Sequence, residues 1–389
     1  MIEKVLSKKR FKTPEIYIGF VIAFLLWSWL RFIGGIGPGE IFLVLVTYFL
    51  LLVLLINLKR SHLLNIGDFY ALWMFFYFCF VILLMTLINY GRIRGSSILE
   101  WFSYFTSASL ILSISILKLN YQSISKYILF FALIFIIISP ILLGDSAWYA
   151  YRFRGPSFNP NRLALYIMCM IILSSQIAFK NRFIFVSFLS FCLIIGFYTG
   201  SDALRLGLVA MLLSFLFLIM SRSIFFGPIA IMIIALTAIY IALNIEYVNL
   251  VFSQLWYAAS SSNIRVNLLI NGIDAWNDSL VSIFFGYGAG SYSGFTSAFQ
   301  GWEAHSTIID LLTISGIVGL LSFYFPALYA VIIFIKTKKN FAASAIIGLI
   351  IFSIFGFFGR YPVLWFTLYV CLVNAQLLNK ETFKQSIQT

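Results

Sequence analysis

The sequence predicts an all-α fold: a polytopic integral membrane bundle of about twelve transmembrane helices, with a large external loop between the ninth and tenth. Three observations predict it. The 389-residue chain is 62% hydrophobic and only 10% charged. Apolar runs of about 17 to 25 residues, enough to cross a hydrocarbon core, recur along it. Its basic residues fall in short clusters between those runs. A soluble core could not bury so much apolar surface, so membrane lipid must cover it. The net charge of +13 would suit nucleic acid if it were gathered on one face. It is dispersed between apolar runs instead, and no nucleic-acid partner is expected.

The runs lie near 14–33, 39–58, 68–89, 98–117, 126–144, 161–179, 183–199, 203–221, 224–244, 306–335, 341–359 and 361–378. Before the first, Lys4, Lys8, Lys9, Arg10 and Lys12 look like the start of a signal peptide. No small-residue cleavage site follows, so the run reads as a retained span. The links around Lys180 to Arg182 and around Arg222 are short enough to force helical hairpins. With no repeat or soluble segment, residues 1–389 read as one membrane domain. Cys79, Cys169, Cys192 and Cys371 all sit inside apolar runs, where a thiol acts as a small hydrophobe.

Alternation through twelve spans leaves one choice of orientation. The basic N-terminus with Lys59, Arg60, Lys336, Lys338 and Lys339 places both termini in the cytoplasm. The external segments are then an Arg-rich loop at 145–160 and a large loop at 245–305. In this topology every lysine is cytoplasmic, whereas the external basic residues Arg31, Arg92, Arg94, Arg152, Arg154, Arg162, Arg205, Arg265 and Arg360 are all arginine. The positive-inside rule treats the two alike, but a planar fork of five donors suits phosphate oxygens. An external phosphate or pyrophosphate site follows. The competing reading is arginines that snorkel to lipid headgroups or pair with Glu100, Asp145 and Asp202. No ionisable residue lies near the middle of a span, which counts against an ion-coupled transporter.

Three stretches can carry chemistry. In the first, Arg152, Arg154 and Arg162 crowd a helix start that Asn159 or Asn161 can cap, and a helix N-terminus itself favours anions. The second begins with Arg265, in the first turn of an amphipathic helix. Val266, Leu269, Ile273, Trp276 and Leu280 line one face of it, and Asn267, Asn271, Asp274 and Asp278 the other. A glycine-spaced loop from Gly286 to Gly294 follows, where Tyr292 can stack on a sugar. Third, Thr307 and Asp310 have capping-box spacing and put His305 just ahead of a helix N-terminus. Positive potential there favours the neutral imidazole that a general base needs. With one external histidine and no thiolate, no zinc site is expected, nor any other cofactor.

At these residues the chain resembles the O-antigen polymerase and O-antigen ligase superfamily, bacterial inner-membrane enzymes that move glycans from undecaprenyl pyrophosphate. The stretches concerned are Arg154-Gly155 through Phe158-Asn159-Pro160-Asn161, Arg265, and His305-Ser306 followed by Gly316-Ile317-Val318-Gly319. Ser201-Asp202 with Arg205 departs from the family's Ser-Arg pair, and Arg205 can substitute from the same helical face. The resemblance implies metal-independent glycosyl transfer on the periplasmic face, with His305 and Arg265 catalytic. Arg152, Arg154, Arg205, Asn161 and Tyr292 would bind the pyrophosphate or glycan. It also allows a chain-length regulator as partner. Polymerase is the preferred activity and ligase the alternative. A flippase would want charges lining a midplane cavity, which this sequence lacks.

The orientation is checked by cysteine labelling in a background without native cysteines. Ala150→Cys should react with an impermeant external reagent, and Arg60→Cys and Lys338→Cys should not. Labelling of the last two in intact cells reverses the topology.

Overall fold

The computed structural model describes residues 13–28, 37–57, 65–89, 97–177, 182–221, 264–291 and 302–388. The chain is mostly helical, and among the described residues seven helices are long and apolar enough to cross a membrane. The helices in chain order are α1 (Thr13–Phe24), α2 (Pro38–Asn57), α3 (Ile66–Ile88), α4 (Ser97–Ile116), α5 (Tyr121–Leu143), α6 (Pro160–Gln176) and α7 (Arg182–Tyr198). They continue as α8 (Asp202–Met220), α9 (Ile264–Trp276), α10 (Leu280–Phe285), α11 (Thr307–Lys336), α12 (Asn340–Ile354) and α13 (Pro362–Gln388). The expected run at 224–244 and the start of the large loop lie outside the described residues.

The chain clusters into two units. One comprises Met1–Phe80, Phe102–Arg205 and Arg360–Thr389; the other comprises Val81–Trp101 and Leu206–Gly359.

In the first unit α6 is the central element, buried at every residue from Leu163 to Ser174 and packed by α5, α7 and α13. Its Tyr166 hydroxyl donates to the Ile22 carbonyl (2.7 Å), satisfying one of the carbonyls left over at the end of α1. At the start of α3, Asp68 is buried. It forms a capping box with Asn65, accepts from the Ser115 hydroxyl and pairs with Lys118.

The Arg-rich loop contains a two-stranded antiparallel ribbon, β1 (Trp148–Tyr149) and β2 (Arg152–Phe153), that the sequence reading did not anticipate. Ala150 and Tyr151 turn it with φ of 45° and 65°. Two-residue hairpins of this hand normally announce themselves by Asn or Gly, and neither is present.

The second unit is organised by a break. Gly316 leaves the helical region inside α11 (φ 61°, ψ −171°), and the loop after α10 docks onto the carbonyls just before it. The Tyr287 and Gly288 amides donate to the Thr313 and Ile314 carbonyls at 2.7 and 2.9 Å. The end of α3 holds the same loop. Thr86 Oγ1 accepts from the Ala289 amide at 2.9 Å, and Asn89 Nδ2 donates to the Tyr287 carbonyl at 3.1 Å.

The expected amphipathic helix is two helices. It ends at Trp276, and Leu280 opens α10 behind a Ser279 capping box. Leu268 and Gly272 are buried, Leu269 and Trp276 half-buried, and Ile273 and Leu280 exposed, so the buried side of α9 is not the expected apolar stripe. A cap residue at the turn overrode the helical period.

The docking of loop and break is backbone against backbone. A Cβ on Gly316 would strike the main chain at Phe284 and Phe285, and one on Gly286 (φ 72°) would strike it at Ile314 and Ser315. Gly144 (φ 51°) has open space around it. Gly144→Ala should therefore carry only backbone strain, about 1–3 kcal/mol. Thermal unfolding in detergent should show larger losses for Gly286→Ala and Gly316→Ala, and equal losses would mean that the close approach is unimportant.

Candidate active site

The described candidates fall in two places. Arg152, Arg154, Asn161 and Arg205 belong to the first unit, and Arg265 and His305 to the second. Tyr292 lies outside the described residues.

Around the Arg-rich loop, Asn159 caps α6 by accepting from the Asn161 amide at 2.8 Å, with Pro160 as the first helical residue. Proline fits there because that position has no intrahelical donor duty. The Asn161 side chain is thereby left to accept from Arg152 Nη2 (3.0 Å), while Arg152 Nε donates to the Thr199 carbonyl (2.8 Å) at the end of α7. Arg152 thus ties the ribbon to two helix ends, and two of its donors are committed. Arg154 lies over the rings of Tyr149 and Phe158, 5.4 and 5.5 Å from their centroids, and Nε donates to the Ser146 carbonyl at 3.0 Å. Aromatic faces on the guanidinium hold its plane and leave its edge to hydrogen-bond. Arg205 is exposed, pairs with Asp202 one helical turn back (3.1 Å), and lies over Phe197.

Arg162, the third arginine of the cluster, has a different task. It is buried, donates to the Leu25 carbonyl at the end of α1, approaches Glu40 at 3.5 Å and lies over Tyr361. Of the pairings with Glu100, Asp145 and Asp202 that the competing reading allowed, the one between Asp202 and Arg205 is present, and Arg162 approaches Glu40. A cation at a helix C-terminus meets the negative end of the dipole, and sequence spacing across 137 positions gives no sign of it.

In the second unit Arg265 is the second residue of α9, and α9 packs against α11, the helix that His305 precedes. His305 is exposed and left-handed, with φ 55°. The cap of α11 is Ser306, which accepts from the Ile309 amide; Thr307, the expected cap, is the first helical residue and is buried. Thr307 is used elsewhere. Its amide and hydroxyl both donate to the Gly356 carbonyl, and its oxygen accepts from the Phe358 amide. Asp310 sits inside the turn, its two carboxylate oxygens accepting from the Ala304 and Ser306 amides at 2.8 and 3.2 Å. Sequence reasoning saw Asp310 only as a capping partner. The signal for more was a carboxylate five residues after the histidine, at the head of an otherwise apolar run.

Asp278 accepts from the hydroxyl of Tyr287, whose main chain lies in the α11 break. No group of histidine, cysteine and carboxylate side chains with metal-binding spacing occurs among the described residues.

Apolar helices of this length and number define a multi-pass helical membrane protein. No protein-family model matches the chain, and no curated protein matches it.

The different tasks of the arginines make a stability test. Arg162→Met should cost about 1–3 kcal/mol by leaving buried acceptors unmet. Arg205→Ala, which removes an exposed pair, should cost less than about 1 kcal/mol. Comparable unfolding midpoints would show that Arg162 is not a structural clamp.

Proposed function

We propose that the protein is a bacterial polymerase for O-antigen or a related surface polysaccharide, joining repeat units carried on undecaprenyl pyrophosphate. It would span the inner membrane twelve times, with both termini cytoplasmic and the 245–305 loop periplasmic. One observation carries the reading: an exposed histidine in a left-handed turn, fixed at the head of a helix, in the unit that also bears Arg265.

The chemistry runs as follows. The acceptor hydroxyl attacks the anomeric carbon of the donor glycan. His305 takes the hydroxyl proton, the bond from that carbon to the pyrophosphate oxygen breaks, and the lipid pyrophosphate leaves with the electron pair. Arg265 stabilises the charge that grows on the leaving oxygens. Arg154 and Arg205 are further guanidiniums for the pyrophosphate or glycan, Arg152 with Asn161 shapes the loop that carries Arg154, and Tyr292 stacks on a sugar.

The test is what accumulates when the gene is removed. Loss of a polymerase leaves lipid A core with at most one repeat unit. Long polymer retained on undecaprenyl pyrophosphate identifies a ligase instead, and unchanged glycans overturn both. In the restored strain His305→Ala should lower transfer about a hundred- to ten-thousand-fold. His305→Gln should not rescue it, since an amide hydrogen-bonds without accepting the proton. Arg265→Lys should lose most activity because the planar fork is gone.

A further inference from the structure

Deepening the His305 reading, and resting on it, we propose that Asp310 is the positioning residue for His305: its buried carboxylate fixes the turn that presents the imidazole to the acceptor hydroxyl. The amides on either side of His305, those of Ala304 and Ser306, converge on one carboxylate, one to each oxygen. With both neighbours tied inward, His305 at φ 55° stands on the outside of the bend, exposed, while Ala304, Ser306 and Asp310 are buried. A left-handed residue that is not glycine is uncommon and persists where its surroundings over-determine it.

Capping alone does not account for this acid. Ser306 already caps α11, and the carboxylate reaches past the cap residue to the Ala304 amide, two positions before it. Burying a carboxylate at the head of an apolar helix is costly unless it is well hydrogen-bonded. Here its bonds are spent on the backbone that carries the histidine. Thr307 holds the other side of the turn by its three bonds to Gly356 and Phe358. The turn is therefore anchored on both sides, and Asp310 is the anchor that decides where residue 305 points.

Asparagine in place of Asp310 offers one acceptor oxygen for two amides, and its own amide group opposes the second. Glutamate keeps both oxygens on a longer stem. The experiment uses the full-length protein in lipid nanodiscs, with undecaprenyl-pyrophosphate-linked repeat units extracted from the deletion strain as the probe. Initial rates against probe concentration are compared for the wild type, Asp310→Asn, Asp310→Glu, His305→Ala and the Asp310→Asn/His305→Ala double variant. A misaimed base loses about a hundred-fold in kcat. Asp310→Asn should show that loss with KM changed less than about twofold, Asp310→Glu should recover part of it, and the double variant should be no slower than His305→Ala.

Wild-type kcat in Asp310→Asn beside an inactive His305→Ala overturns the positioning role and leaves the histidine reading standing. A wild-type rate in His305→Ala removes that reading and this proposal together. A double variant slower than His305→Ala shows that Asp310 acts other than through His305, and the proposal falls. If Asp310→Asn is not recovered folded, Asp310→Glu is judged by the same kcat and KM criterion. If neither variant is recovered folded, Asp310 supports the unit rather than aiming the histidine, and the proposal falls.

Discussion

In apolar surroundings a backbone amide or carbonyl without a partner costs several kcal/mol, and each unit handles that constraint wherever a helix stops or breaks. At Gly316 the α11 ladder is interrupted, and the buried Thr313 and Ile314 carbonyls that it frees take amides from the glycine loop. At the end of α1 the Ile22 and Leu25 carbonyls take the Tyr166 hydroxyl and the Arg162 guanidinium. At the head of α11 the Ala304 and Ser306 amides take the Asp310 carboxylate. The first and third solutions also fix a loop in place, so there the same requirement that stabilises the fold places residues that can do chemistry.

That economy separates the arginines. Arg162 and Arg152 bind backbone carbonyls and are held by the fold. Arg205 pairs with an exposed carboxylate, and Arg154, half-buried over two aromatic faces, gives Nε to the Ser146 carbonyl. A guanidinium serves both purposes because its planar fork can commit some N–H groups to the protein while others face a ligand, which a lysine ammonium at the end of a flexible stem cannot do.

The candidate turn shows how far sequence reasoning reached. Helix start, exposed histidine and nearby acid were all legible between Glu303 and Asp310, because capping is a local interaction with a short sequence range. The cap itself was read one residue late, at Thr307 instead of Ser306. The error has a cause: the Thr307 hydroxyl is drawn to Gly356, 49 positions away, and no local pattern reports that competition. The Leu280 boundary was missed for a local reason, the Ser279 cap, that hydrophobic period had masked.

The sequence by itself determined the class of fold, since apolar composition and run length depend on how much surface lipid can cover and on nothing else. It also located most of the described helices outside the large loop, although the first run, read to 33, is helical only to Phe24 and the run at 224–244 lies outside the described residues, and it determined the residue types at the candidate site. Only the tertiary structure decided which arginines are structural, that α11 breaks at Gly316, and that Asp310 turns inward to hold the chain beside His305. The first two outcomes rest on partners such as Leu25 with Arg162, Thr313 with Tyr287 and Thr86 with Ala289. Each joins backbone to a group distant in sequence, and every residue carries the same backbone amide and carbonyl, so the order of side chains cannot single out the partner.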